Sequence, residues 1–192
     1  STHRHHTLHL YWFMPDYRRH YREGGSYFFT VVTHHRQKIL LDKDIRAALR
    51  ASVNKVRETM PFKVDAWVLL PDHLHCIWTL PENDENYSLR WLLIKRGVSK
   101  QCKTYFDEKK QSKSRKSRNE STIWQRRFWE HHIRDDQDFE RCMNYVHINP
   151  VQHGYVKQVV DWPYSTFHRC VKVGIYEKDW GSDVELTGEF GE

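Results

Sequence analysis

Paired cysteines are missing from this chain. Its four cysteines, Cys76, Cys102, Cys142 and Cys170, are widely spaced and form no C-x-x-C pair. That argues against a zinc knuckle and against a disulfide framework, and fits reduced thiols. No apolar run approaches the ~20 residues that a membrane span needs. The apolar stretch Leu8–Met14 is short and flanked by histidine, so a signal peptide is not expected and a cytoplasmic location is. Lysine and arginine are absent from residues 179–192, which carry the acids Asp179, Asp183, Glu185, Glu189 and Glu192. Without those five negative charges the formal +6 of the whole chain becomes +11 on residues 1–178. Acids and apolar side chains are in turn absent from Lys109–Arg118, which holds six bases. Such a stretch cannot bury enough surface to offset the entropy of ordering it, and a mobile basic loop is expected over 107–122.

The length, 192 residues, suits one domain with a substantial core. The composition includes eight Trp, ten Tyr and nine Phe. Aromatic side chains beside a basic body suit nucleic acid, through phosphate attraction and base stacking, although core packing is the commoner use of aromatics. The expected organisation is an N-terminal extension over 1–16, a domain over 17–178 and an acidic tail over 179–192. That tail is complementary in charge to the body and could fold over a basic cleft in competition with DNA.

The periodicity predicts strand, helix, strand, strand, helix, strand, helix. Ser26–Thr33 is β-branched and aromatic throughout, as in a strand buried on both faces. Ile45, Ala48, Leu49, Ser52, Val53, Val56 and Met60 recur at helical spacing behind Asp42 or Asp44 as a cap, and Pro61 ends the helix. Phe62, Val64, Ala66, Val68 and Leu70 alternate on a strand that turns through Pro71-Asp72 into a second one. Ser88 is the expected cap of the next helix, with Trp91, Ile94, Val98 and Cys102 inward and Arg90, Lys95, Arg96, Lys100 and Lys103 outward. Ile123–Ile133 reads as the fourth strand. A third helix begins near Asp135 and Asp136 and ends near Asn149, because Pro150 disfavours helix before it. The order fits an α+β ferredoxin-like sandwich, an antiparallel sheet with helices on one face.

The chemistry centres on Leu70–Trp78. His73 and His75, two apart on a strand, share one face, while Leu74, Cys76 and Trp78 take the other. Two histidines on a solvated strand face are the plain alternative to a site. Tyr145 and Asn149, four apart on the third helix, are neighbours there. If that helix crosses the histidine strand, His73, His75 and Asn149 offer two nitrogens and an oxygen to a divalent metal, with Tyr145 beside it as a nucleophile for a phosphodiester.

Five motifs carry a family resemblance: Arg18–Gly25 before Tyr27–Thr30, Ala66–Trp78, Ile123–Glu130, Tyr145–Gly154 and Asp161–Phe167. In this order they resemble the REP-associated tyrosine transposases, a branch of the HUH single-tyrosine transposases. The resemblance implies a ferredoxin-like HUH endonuclease fold. It also implies that His73 and His75 bind Mg²⁺ or Mn²⁺, that Asn149 completes the metal shell, and that Tyr145 is the nucleophile. The implied substrate is single-stranded DNA at repetitive palindromic hairpins, cut and rejoined through a 5′-phosphotyrosine without an external energy source. Arg18, Arg19 and Arg22 in the N-terminal arm, with Arg126, Arg127 and Arg134, are the candidate DNA contacts, and a monomer is expected, with a dimer as the alternative. Two other readings stay open at this point: a domesticated, non-catalytic hairpin-binding protein, and a zinc hydrolase using the two histidines with a carboxylate.

Overall fold

The computed structural model describes residues 24–103 and 123–182. The extension over 1–16, the arginines Arg18, Arg19 and Arg22, the basic loop over 107–122 and the tail from 183 lie outside the described residues. The elements are β1 (Ser26–Val32), a 3-10 turn (His34–Arg36), α1 (Lys43–Thr59), β2 (Lys63–Leu69), β3 (His73–Thr79), α2 (Tyr87–Gln101), β4 (Trp129–His132), α3 (Asp136–Gln152), a 3-10 turn (Val159–Asp161) and α4 (Phe167–Lys172). The strands form one sheet in the order β2-β3-β1-β4, and every pairing is antiparallel. This is the α+β open sandwich expected from the element order. No helix among the described residues is long and apolar enough to cross a membrane.

The helices do not all lie on one face, as the element order alone suggested. Tyr27, Phe29 and Val31 of β1 and Leu74, Cys76 and Trp78 of β3 pack beneath α1 and α2, against Ile45, Leu49, Val53, Trp91 and Ile94. Phe28 of β1 and Ile77 of β3 face the other way, into a second cluster with Cys142, Met143 and Val146 of α3. All seven residues of β1 are buried. A strand buried at every position has to be covered twice, and α3 supplies the second cover.

One irregularity in β2 redirects a whole row of side chains. The pairing of β2 with β3 shifts between Val64 and Ala66. Phe62 and Val64 therefore contact the first cluster, whereas Ala66, Val68 and Leu70 enter the second. The extra residue changes the parity of the alternation, so the single face predicted for this strand is split.

The helix ends also differ in detail from expectation. Asp42 caps α1 by accepting from the Asp44 N–H. Asn86, not Ser88, caps α2, its side chain accepting from the Leu89 N–H at 3.2 Å. Asp135 caps α3 through the Asp138 N–H at 2.7 Å. That helix runs past Asn149 with Pro150 inside it. The proline sits in the last turn, where one missing N–H costs a single ladder bond, and the His153 N–H still reaches the Asn149 carbonyl at 3.0 Å. Arg90 is buried rather than outward. Its guanidinium holds Asp84 through Nη2–Oδ2 at 2.7 Å and Nη1–Oδ1 at 3.0 Å, and donates to the Met60 and Pro61 carbonyls.

Candidate active site

β3 is the inner strand between β2 and β1, so neither of its histidines meets solvent along the sheet edge. His73 is 2% exposed and His75 is fully buried, which removes the reading of two histidines on a solvated face. Their rings lie 4.9 Å apart, nearly perpendicular at 81°. Each Nδ1 edge is held by the protein. Thr30 Oγ1, directly across the β1 pairing, is 2.8 Å from His75 Nδ1. Asp72 Oδ1 is 2.6 Å from His73 Nδ1. Burial alone would raise the Asp72 carboxyl, but the His73 hydrogen bond, its charge and the nearby Arg36 outweigh it and hold the pKa below the usual carboxylate value. An ionised Asp72 accepts from a proton-bearing Nδ1, which favours the His73 tautomer whose Nε2 could hold a metal.

α3 lies across this face. The Tyr145 ring stands 5.2 Å from the His75 ring at 73°, and 5.8 Å from Phe28. Two turns later the ring of His153, at the C-terminal end of α3, stands 5.2 Å from His73 at 69°. Positions 145, 149 and 153 make one row along a helix at intervals of four. Asn149, fully buried, is therefore the middle residue of a row whose two ends touch the two histidines. Two imidazoles and an amide oxygen are a donor set that suits a divalent first-row metal or magnesium. The buried, rigid strand under them fits such a group.

His153, Asp72 and Thr30 escaped the sequence reading. Asp72 was legible only as a turn residue and Thr30 only as part of a β-prone run, although the position of Asp72 directly before His73 is a signal for a carboxylate partner. His147 escaped it as well. It is fully buried between Thr166 Oγ1 at 2.8 Å and the Tyr176 hydroxyl at 3.2 Å, and burial pulls its pKa down to about 3. It is a neutral fastening between α3 and the C-terminal segment.

Among the described residues, one group of three His, Cys, Asp or Glu side chains could also hold an ion geometrically, and it lies elsewhere. His131, Asp138 and Cys142 offer ligand atoms within 4.8 Å of one another. Asp138, however, already bonds His131 Nε2 at 2.7 Å, the Arg134 N–H at 3.0 Å and Arg141 Nη2 at 2.9 Å. Burial and the Asp138 charge push the Cys142 thiol up to about 12. A guanidinium on the carboxylate and a protonated thiol make this a hydrogen-bonded fastening of β4 to α3.

Of the basic residues singled out from the sequence, Arg126 and Arg127 are exposed on the segment leading into β4. That segment is shorter in strand than expected: only Trp129–His132 pairs, and Trp124 makes an isolated bridge to Thr33. Arg134 is 77% exposed, with its guanidinium 4.0 Å from Asp138.

Sequence and fold comparisons with known proteins point to one family. The family described as "Transposase IS200 like" matches residues 21–149. A REP-associated tyrosine transposase of Escherichia coli (strain K12) is 46% identical over 171 residues, covering 89% of this chain and 93% of its own. A relative from Haemophilus influenzae is 45% identical, over 90% of this chain and 97% of its own. A solved REP-associated tyrosine transposase bound to a REP hairpin superposes with a TM-score of 0.74 at 44% identity, over 88% of this chain and 92% of that one. Shared sequence over nearly the whole length, and a shared fold, place this chain among the REP-associated tyrosine transposases, within the IS200-like transposase family.

Proposed function

We propose that the chain is a metal-dependent endonuclease and strand transferase of single-stranded DNA, cutting and rejoining it at repetitive palindromic hairpins through a 5′-phosphotyrosine. The family makes DNA processing the class of activity. The observation that carries the finer reading is the contact of the Tyr145 ring with His75 on the face that also bears His73 and Asn149. The relative of similar fold is bound to a REP hairpin, which supports hairpin DNA as the partner here.

In this reading the Tyr145 oxygen attacks the scissile phosphorus and the bond from phosphorus to the 3′ oxygen breaks. The phenol gives up its proton, the departing 3′ oxygen ends as a hydroxyl, and the 5′ phosphate stays on Tyr145. Return attack by a 3′ hydroxyl restores the diester and the phenol, so bond energy is conserved. His73, His75 and Asn149 hold Mg²⁺ or Mn²⁺, which when bound polarises the phosphate oxygens. Thr30 and Asp72 keep the two imidazoles aimed, and the α3 backbone keeps Tyr145 over them. Arg126, Arg127 and Arg134, with Arg18, Arg19 and Arg22, contact the DNA backbone. Tyr145 meets His75 within one chain, which supports a monomer assembling its own site.

The test is a denaturing gel after incubation with Mn²⁺ and a labelled REP hairpin oligonucleotide. A DNA-linked protein band that disappears in Tyr145→Phe, with hairpin binding retained, is the expected result. Binding without any band from the wild-type chain would favour a non-catalytic hairpin-binding protein instead.

A further inference from the structure

The 3-10 turn that follows β1 holds two successive residues in left-handed backbone conformation, neither of them glycine. His35 has φ 54° and ψ 25°, and Arg36 has φ 50°. Each such residue costs on the order of 1 kcal/mol or more. The turn persists because its neighbours bolt it down. The Thr33 N–H reaches the Asp72 carbonyl at 2.9 Å, the His34 N–H the Ile123 carbonyl at 2.8 Å, and the Leu40 N–H the Pro71 carbonyl at 3.0 Å. What this strained conformation accomplishes is placement: it sets an exposed Arg36 near Asp72, the carboxylate bonded to His73.

Arg36 is only loosely engaged there. Its Nη1 is 3.6 Å from Asp72 Oδ2, beyond a good hydrogen bond, and its side chain is 47% exposed while that of Asp72 is 13% exposed. A half-exposed guanidinium keeps most of its fork of donors available, and a phosphate is the anion that this fork fits best. Asp72 keeps its shorter bond to His73 Nδ1 at 2.6 Å whether or not Arg36 stays beside it.

The geometry points to Arg36 as a phosphate-holding residue of the site, its guanidinium taking a non-bridging oxygen of a phosphodiester that flanks the scissile linkage of the bound strand. The inference rests on the reading under Proposed function and adds to it a specific contact from a turn that none of the recognised motifs includes. Arg36 sits on the Nδ1 side of His73, one carboxylate removed from the ring, so the phosphate it reaches is a neighbour of the one that Tyr145 attacks. Leaving Asp72 for DNA exchanges a loose ion pair for a charge-assisted hydrogen bond to phosphate.

The experiment measures affinity of the full chain for a REP hairpin oligonucleotide in EDTA, where no turnover occurs, for wild type and Arg36→Ala. Each linkage within two positions of the scissile one is replaced in turn by an uncharged methylphosphonate. Arg36→Ala is expected to weaken binding of unmodified DNA by roughly tenfold, and to lower the slope of log affinity against log salt by about 0.7. At one flanking position the methylphosphonate should abolish the effect of the substitution, and Arg36→Lys should restore part of the affinity. Mn²⁺ affinity should be unchanged. Additive losses at every position scanned would overturn the inference, and so would a fall in Mn²⁺ affinity with no phosphate coupling, which would make Arg36 a support for Asp72 alone. These outcomes are separate from the gel test of Tyr145, because binding in EDTA reads the contact whether or not a phosphotyrosine forms.

Discussion

The Tyr145 ring stands edge-on to the ring of His75, with centroids 5.2 Å apart at 73°. One residue is on a helix near the end of the domain and the other on an inner strand, seventy positions earlier. Their contact depends on α3 covering the face of the sheet that α1 and α2 leave open. The same row on α3 brings His153 to His73, so the helix is fixed over the histidines at both ends.

The partners of the two Nδ1 atoms should matter to metal binding more than to folding. Asp72→Ala removes the carboxylate that sets the His73 tautomer, and Thr30→Val removes the hydroxyl on His75. Each is expected to weaken Mn²⁺ binding by about 10- to 100-fold, measured by isothermal titration. An unchanged Mn²⁺ affinity in both variants would show that the histidines do not ligate through Nε2.

Asp138 should give the fold an acid-sensitive component. Burial alone would raise its carboxyl, but the Arg134 N–H, Arg141 and His131 outweigh this and hold its pKa below the ordinary value. A folded-state pKa below the unfolded one means that the unfolded chain takes up the proton more readily. The stabilisation is thus present in full above about pH 4, the unfolded carboxylate value, and is lost as pH falls through the lowered folded value. Urea unfolding of Asp138→Asn should show a deficit against wild type at pH 7 that shrinks towards pH 3. A deficit equal at both would mean that the carboxylate charge contributes nothing.

Removing the buried guanidinium on α2 should be costly. Arg90→Ala leaves Asp84 without its two-pronged partner and strips donors from the Met60 and Pro61 carbonyls. A loss of about 3 kcal/mol is expected. Arg90→Lys should recover little, because one ammonium cannot span the carboxylate and both carbonyls. Chemical denaturation of the two variants checks both points.

Much of this site could be read directly from residue spacing. The two-residue interval places His73 and His75 on one face of any strand, and the four-residue interval places Tyr145 and Asn149 together on any helix. Local period is a property of the backbone, so these pairings needed no tertiary information. The parts that could not be read are those in which distant segments meet. Thr30 and His75 are brought opposite one another by strand pairing. The split of β2 comes from a single irregular residue that no alternation pattern reveals. Arg90 carries a charge, and charge alone suggested solvent, because the carbonyls that satisfy it belong to the end of α1.

By itself, then, the sequence determined the element order, the pairs of chemical groups on each element and the family to which they belong. Only the tertiary structure decided that α3 packs on the face opposite α1 and α2, bringing Tyr145 to His75 and burying His73. The physical reason is that β1 carries large apolar side chains on both faces and is buried throughout: it demands cover on each, but which helix supplies the second cover is settled by packing between segments far apart in the chain.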